Sequence, residues 1–359
     1  MRIGIVTFFG PYGGALQCYA LQHILRSLGH DVKVINRKWG KFRPLEKRTW
    51  LQNIKHQIKE IVAPDPFNKF YNQYYEFTQP ITSNEILQEI GTKKYFDVII
   101  AGSDQPWNPE CISTMGYYFY LDWVSPDVKK YAYAVSYGKD YFPASSEEIK
   151  KIKAILQQYT AISVRESSGI KISQELLNVN VQQCLDPTLL LDKENYNKII
   201  TDKKIRDKYI CKFFLDNNPT KQNIVESIAH ETNLEIIDNN PVFPHNKFQK
   251  FIYQPKSISA WLRNIRDAQY VITDSFHGTV FSILFHKQFI CINNKKRGSA
   301  RFESLLSILN LSYRLINEDN LIPTNICKIL HKQIDYKTID SKLKSLRLES
   351  IYFIQKLHE

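Results

Sequence analysis

Short runs of β-branched and aromatic residues recur along the chain, and each ends in a polar or glycine-bearing turn before an apolar helical stripe begins. Residues 2–8 read as a first strand. Ala15 to Leu28 reads as a helix that sets Leu16, Tyr19, Ala20, Ile24 and Leu28 on one stripe and stops at Gly29. A strand over 31–35 completes a βαβ unit with a right-handed crossover. Phe96 to Ala101 is continuously apolar, as in strands of a buried parallel sheet, and strands over Tyr131 to Ser136 and Ala161 to Val164 flank a helix over Glu147 to Tyr159. The same order then starts again. Strands at Tyr209 to Leu215, Leu234 to Ile237, from Tyr270 and at Phe289 to Ile292 alternate with helices at Asn223 to His230 and Ile258 to Arg266, the latter capped by Ser257.

This pattern predicts an α/β protein of two Rossmann-like domains, over residues 1–200 and 201–330, with a polar, charged linker over Lys193 to Lys208 and a basic, largely helical tail. A basic, aromatic insertion over about 36–80 interrupts the first domain, with helices expected around Trp50 to Val62 and Phe67 to Phe77.

Candidate chemistry sits at the carboxyl ends of the strands, where open α/β sheets bind ligands. The stretch Tyr270 to Phe285 breaks at Asp274 and Ser275 and restarts as a helix apolar nearly all round, leaving His277 opposite the anion that the helix amino end favours. Asp104 ends the Phe96 strand and Arg165 the Ala161 strand. Each has a plainer alternative: a turn histidine bonded to a carbonyl, an aspartate capping its turn, and an Arg165–Glu166 pair on the surface. Asp186-Pro187 reads as structural, His245 as a surface residue, and Arg297 and Lys296 as part of a solvated basic loop leading to Arg301.

Composition narrows the field. A formal charge of +12, from 48 basic and 36 acidic residues, favours anionic partners such as phosphorylated donors or acidic lipid headgroups. No nucleic-acid recognition module accompanies that charge, so nucleic acid is not an expected partner. Six separated cysteines with no CxxC read as buried thiols of a reducing compartment, and no metal-binding pattern appears. No apolar run is long enough to cross a bilayer, and the first strand leads to Gly-Pro-Tyr-Gly-Gly rather than to a signal-peptide cleavage site, so a cytoplasmic protein is expected.

Asp274-Ser275-Phe276-His277-Gly278-Thr279 resembles the signature of the polysaccharide pyruvyl transferase family. Further motifs follow in order over residues 1 to 310. They are Gly14-Ala15-Leu16-Gln17, Tyr19-Ala20-Leu21-Gln22, Gly102-Ser103-Asp104-Gln105 before Trp107-Asn108, Ser163-Val164-Arg165-Glu166, Leu185-Asp186-Pro187-Thr188, and Arg301-Phe302-Glu303. The chain departs from the family at Ser275, where an arginine can occur, and at Gly10-Pro11-Tyr12-Gly13, where family members often have an Asn-rich segment.

The resemblance implies a GT-B-like pair of domains facing across a cleft, with the final helix, residues 331–359, returning to the first. It also implies transfer of a pyruvyl group from phosphoenolpyruvate to sugar hydroxyls of a surface or capsular polysaccharide or its precursor, without a cofactor or metal. His277 would be the general acid/base and Asp104 its catalytic companion on the acceptor side. Arg165, Arg301, Ser275, Phe276, Gly278 and Thr279 would bind the donor, and Gly13, Gly14, Ser103 and Gln105 the saccharide acceptor. An acceptor on a lipid carrier would bring the enzyme to the inner membrane surface as a peripheral partner. Two other classes stay open on the same architecture: a nucleotide-sugar glycosyltransferase, and a non-catalytic glycan- or anion-binding relative.

Overall fold

The computed structural model describes residues 1–37, 40, 50, 54, 57–58, 62–206, 208–241 and 255–358. His245 lies outside them, as does most of the helix expected over Trp50 to Val62, of which the described residues 50, 54, 57, 58 and 62 are helical.

Two parallel sheets form the frame. The first contains β1 (Arg2–Val6), β2 (Asp31–Val34), β3 (Val98–Ala101), β4 (Lys129–Val135), β5 (Ala161–Val164) and β6 (Gln182–Gln183), in the spatial order β2-β1-β3-β4-β5-β6. The second contains β7 (Tyr209–Phe213), β8 (Glu235–Asp238), β9 (Tyr270–Thr273), β10 (Gln288–Ile292) and β11 (Leu315–Ile316), in the order β11-β10-β9-β7-β8. Read from β8, the second order repeats the first five positions of the first. In each sheet the order reverses beside the opening strand, between β1 and β3 and between β7 and β9, and there the crossovers leave to opposite faces and open a crevice.

β3 and β9 are buried along their whole length, as expected where helices cover both faces of a parallel sheet. The helix Phe276–Leu284 is buried at every residue. Its Phe281 ring meets Tyr196 edge-on at 4.8 Å and Trp261 at 5.5 Å, so it packs against partners attached to both sheets. Tyr12, on the loop after β1, stacks on Trp261 at 5.1 Å with the rings 13° apart, and its hydroxyl donates to the Lys256 carbonyl. Gln183 and the Ser167 backbone N–H both donate to Ser304 Oγ, at 2.8 and 3.2 Å, which closes the opposite flank. All six cysteines are buried free thiols.

The helix Tyr336–Gln355 straps the two sheets together. Near its start Tyr336 stacks on His286, and Asp340 accepts from that ring at 3.0 Å. Near its end Ser350 Oγ accepts from the Leu185 N–H, Phe353 packs on Tyr133, and Arg347 donates to the carbonyls of Leu189 and Leu191 at 2.5 and 3.1 Å. Bonds from a charged donor contribute roughly 1.5–3 kcal/mol each. Arg347→Ala is therefore expected to lower unfolding stability by about 2–3 kcal/mol. Urea titration should show a shifted midpoint with an unchanged slope.

Candidate active site

Both chain reversals open toward one cleft. It is about 220 Å³ in volume, and its walls come from the loop after β1 (Gly10 to Gly14), the turn after β3 (Asp104, Gln105), the turn after β7 (Leu215), the turn after β9 (Asp274 to His277) and the residues Arg297, Arg301 and Phe302. Two helices point their amino ends into it. The helix Gly13–Ser27 starts directly at the β1 loop, and Phe276–Leu284 starts at Ser275, whose Oγ accepts from the Gly278 N–H. Unpaired N–H groups and the dipole make each such end attractive to an anion.

His277 is nearly buried. Its Nε2 lies 3.6 Å from Asp186 Oδ2, and its Nδ1 edge occupies the space where Gly13 has no side chain: a Cβ on Gly13 would come within 2.1 Å of Nδ1. Gly13 is therefore fixed by the close approach of the ring.

Asp186 had read as structural from the sequence, and half of that holds. Its Oδ1 caps the short helix Pro187–Leu190 by accepting from the Thr188 N–H and hydroxyl. Its Oδ2 turns the other way, toward Arg165 at 2.7 Å, Ser103 Oγ at 3.3 Å and His277. Burial pushes this carboxyl up, but the approach of His277, the charge of Arg165 and the Thr188 hydroxyl outweigh it, leaving Asp186 far below the usual carboxylate range; the 3.6 Å separation leaves His277 Nε2 without a hydrogen bond.

Arg165 and Glu166 form no surface pair; both are buried. The Arg165 guanidinium lies 3.8 Å from Asp104 and 3.6 Å from Glu166, and its centre is 4.5 Å from the Phe276 ring centroid. Burial lowers its pKa, but Asp186, Glu166 and Asp104 more than offset this. Burial raises the Glu166 carboxyl, against the opposing pull of Arg165.

Arg165 does not line the 220 Å³ cleft. It borders a separate cavity of about 140 Å³ behind Phe276, beneath the Tyr336–Gln355 helix, and Arg301 and Phe276 border both spaces. Arg165 leaves two of its nitrogens without a hydrogen bond but has three carboxylates within 4 Å; Arg301, among the described residues, has none within that distance. One of its nitrogens donates to the Arg297 carbonyl at 2.6 Å, Nε is buried with no hydrogen-bond partner, and burial together with the like charge of Arg165 pushes its pKa down to about 10. It remains a cation at neutral pH, under-compensated and facing the cleft.

The other expected site residues divide. Ser275, Phe276, Gly13, Gly14, Asp104 and Gln105 line the cleft. Gly278 and Thr279 do not: Gly278 presses on Thr273, with space for no side chain, and the Thr279 hydroxyl donates to the Ser275 carbonyl, so both build the turn. Ser103 is fully buried between Ala134 and Asp186. Arg297 is not a free loop cation; its Nε donates to Asp216 at 2.6 Å and holds that carboxyl at about 2.

Asp104 adopts φ 79°, a left-handed conformation rare for a residue with a side chain, held by a bridge to Val135 and by the Ser136 N–H bonded to its carbonyl. This twist puts Asp104, with Gly10 and Gln105, at the seam between the cleft and a larger pocket of about 560 Å³. Phe8, Phe9, Phe119, Met115 and Cys111 supply apolar walls to that pocket, and Thr7, Arg37 and Asn108 polar ones. No local sequence signal marked it, because its walls come from three separate segments. Among the described residues, no group of three His, Cys, Asp or Glu is placed to hold a metal ion.

No curated protein matches the chain by sequence. Solved structures do match by shape. UDP-GlcNAc 2-epimerase from Methanocaldococcus jannaschii superposes with a TM-score of 0.55 at 13% identity, over 98% of this chain and 99% of that one. A putative UDP-N-acetylglucosamine 2-epimerase from Listeria monocytogenes gives 0.52 at 10% identity, over 96% and 91%. These neighbours have the GT-B fold, and at such identity they establish architecture alone. The model of the family described as polysaccharide pyruvyl transferase matches residues 12–296, which take in the end of the β1 loop, Asp104, Arg165, Asp186 and His277. The chain is thus a GT-B-fold protein that belongs to the polysaccharide pyruvyl transferase family.

Proposed function

We propose that this protein transfers a pyruvyl group from phosphoenolpyruvate to two hydroxyls of a saccharide, forming a ketal and releasing phosphate. The observation that carries this reading is an imidazole backed by a buried carboxylate, at a point where two helix amino ends and an under-compensated arginine converge.

The steps ask little more of the protein. The donor's methylene carbon takes a proton and becomes the methyl group, and positive charge develops at C2. One sugar oxygen bonds to C2 and loses its proton. The C2–O bond to phosphate breaks, and the second sugar oxygen closes the ketal and loses its own proton. Of the two protons released by the sugar, one balances the proton taken up at the methyl carbon and the other leaves with phosphate or solvent. No cofactor enters this sequence.

His277 would carry the transferred proton, with Asp186, 3.6 Å from its Nε2, holding the ring's orientation. Arg301 and the two helix amino ends would hold the donor's charges. Arg165 would act from behind Phe276, fixing Asp186 and adding positive field. Asp104, at the seam, would accept a hydrogen bond from an attacking hydroxyl, and the aromatic 560 Å³ pocket would receive the saccharide. Apolar walls with a few convergent polar groups are typical of small-molecule pockets. Phosphoenolpyruvate, as a cytoplasmic metabolite, would place the reaction there.

His277→Ala is expected to reduce phosphate release from phosphoenolpyruvate plus acceptor by roughly a hundredfold or more, with the fold intact by circular dichroism. Undiminished turnover would refute the role. Gly13→Ala should displace the same ring, lowering kcat while leaving donor binding nearly intact; full activity would show that the 2.1 Å clash is relieved without moving the imidazole. Phosphoenolpyruvate should raise the melting temperature of the wild type, because its charge compensates Arg301, and Arg301→Gln should abolish most of that protection. Protection by a nucleoside diphosphate and none by phosphoenolpyruvate would point to a nucleotide-sugar glycosyltransferase.

A further inference from the structure

The segment Asn294 to Arg301 begins in the second half, just beyond β10, and reaches over the cleft to the first half. Its root is fixed on the turn after β7. Asn294 Nδ2 and Arg297 Nε donate to Asp216 Oδ2 at 2.7 and 2.6 Å, and Arg297 Nη2 donates to the other carboxylate oxygen at 3.2 Å, a forked pair. Its tip meets the loop after β4. Gly298 adopts φ 91°, and a Cβ on it would lie 1.9 Å from the Gly138 carbonyl oxygen and 3.6 Å from the Cα of Lys139. Backbone of one half is thus seated on backbone of the other, an approach that a residue with a side chain would block.

That contact places one carbonyl between the halves. The Arg297 oxygen accepts from Gln105 Nε2 at 3.3 Å, and the same nitrogen donates to the Gly138 carbonyl at 3.3 Å, so a single amide spans the seam. The Arg297 oxygen also accepts from Arg301 Nη2 at 2.6 Å. Arg301 Nε is buried without a hydrogen bond, so among the described residues the Arg297 carbonyl is what orients this guanidinium. The cation that faces the cleft is aimed by a group whose own position is set where the two halves touch.

We infer that Gly298 is a positioning residue for the donor: its seating on Gly138 presents Arg301 to the cleft, and donor affinity depends on that seating. This role rests on reading Arg301 as the donor's contact. Ordinary van der Waals contact begins near 3.4 Å, so a Cβ on Gly298 would force the two backbones about 1.5 Å apart and carry the Arg297 carbonyl with them. A misplacement of about 1 Å at a positioning group can cost up to roughly a hundredfold in rate.

The test compares variants of the full chain by calorimetric titration with phosphoenolpyruvate and by amide hydrogen exchange without ligand. Gly298→Ala should bind phosphoenolpyruvate at least about tenfold more weakly and exchange faster in peptides covering 137–139 and 294–301. Gly29→Ala is the control for backbone strain: Gly29 has φ 85°, with no atom within 4 Å of an added Cβ. It should keep the wild-type donor affinity and the wild-type exchange in both peptides. Equal donor affinity in Gly298→Ala and the wild type, unchanged exchange in those peptides, or a comparable loss of affinity in Gly29→Ala would each overturn the proposal. Should Gly298→Ala fail to fold, Gln105→Leu decides, because it removes the amide across the seam without adding bulk. It should bind the donor about threefold or more weakly and exchange faster over 294–301; wild-type values in both would overturn the proposal. A wild type that binds no phosphoenolpyruvate would refute the donor reading instead. The exchange comparison then decides the seating alone: faster exchange in Gly298→Ala supports it, and unchanged exchange overturns it.

Discussion

A single carboxylate holds this molecule's organisation. Asp186 is fully buried, and a buried charge is tolerable only with close, well-directed partners. It has them in the Thr188 N–H and hydroxyl from its own helix and in Arg165 from the end of β5, and His277 of the second sheet approaches to 3.6 Å. Removing one partner of such a pair typically costs about 3–5 kcal/mol, because the remaining charge is left stranded. The same interaction that ties the second sheet's central turn to the first sheet therefore fixes the imidazole. In this fold one carboxylate oxygen approaches the acid/base candidate across the halves that the Tyr336–Gln355 helix, the Tyr12–Trp261 stack and the bonds to Ser304 also join.

The repeated strand order explains why the site lies where it does. Each sheet opens a crevice at the carboxyl end of its first strand, and each crevice presents a helix amino end. One such end stabilises an anion modestly, by roughly 0.3–1 kcal/mol when exposed to water. Facing each other across a cleft of about 220 Å³, with Arg301 between them, they act on the same small volume, where screening by water is weaker. Gly13 permits the approach: with no side chain there, the first helix can start directly against the histidine of the second.

Local pattern made much of this legible. Buried strands, their polar ends and the apolar helix after His277 each leave a signal within a dozen residues, and β1 to β5 and β7 to β10 follow those signals, whereas the two-residue edge strands β6 and β11 are too short to leave one. What escaped was non-local. Asp186-Pro187-Thr188 announces a helix cap, and one carboxylate oxygen does cap; nothing nearby reveals that the other oxygen contacts a histidine about ninety residues later. For Arg165, expected to bind the donor, a surface pair with Glu166 stayed open as the alternative because adjacency hides depth; the fold buries both. Gly278 and Thr279 share a motif with His277 without sharing its cleft, since a tight strand-to-helix turn needs residues that do nothing but hold it. The aromatic pocket is assembled from the adjacent Phe8 and Phe9 and from Phe119, more than a hundred residues further on.

The two arginines beside Phe276 show how the fold divides labour between groups of the same chemistry. Arg165 is surrounded by three carboxylates and its charge is already answered. Arg301 is buried beside that cation with a carbonyl as its hydrogen-bonding partner, and its lowered pKa expresses the cost. Under the proposed function, an anionic donor would gain more from the second than from the first, because the second has no carboxylate of its own beside it among the described residues. The burial that makes Arg301 unfavourable in the empty cleft is thus the source of its differential interaction with an occupied one. A solvent-exposed arginine at the same place would give up most of that difference to water. Under the proposed function, the cleft's attraction for an anionic donor would follow from how incompletely one cation is paired, more than from how many cations the chain carries.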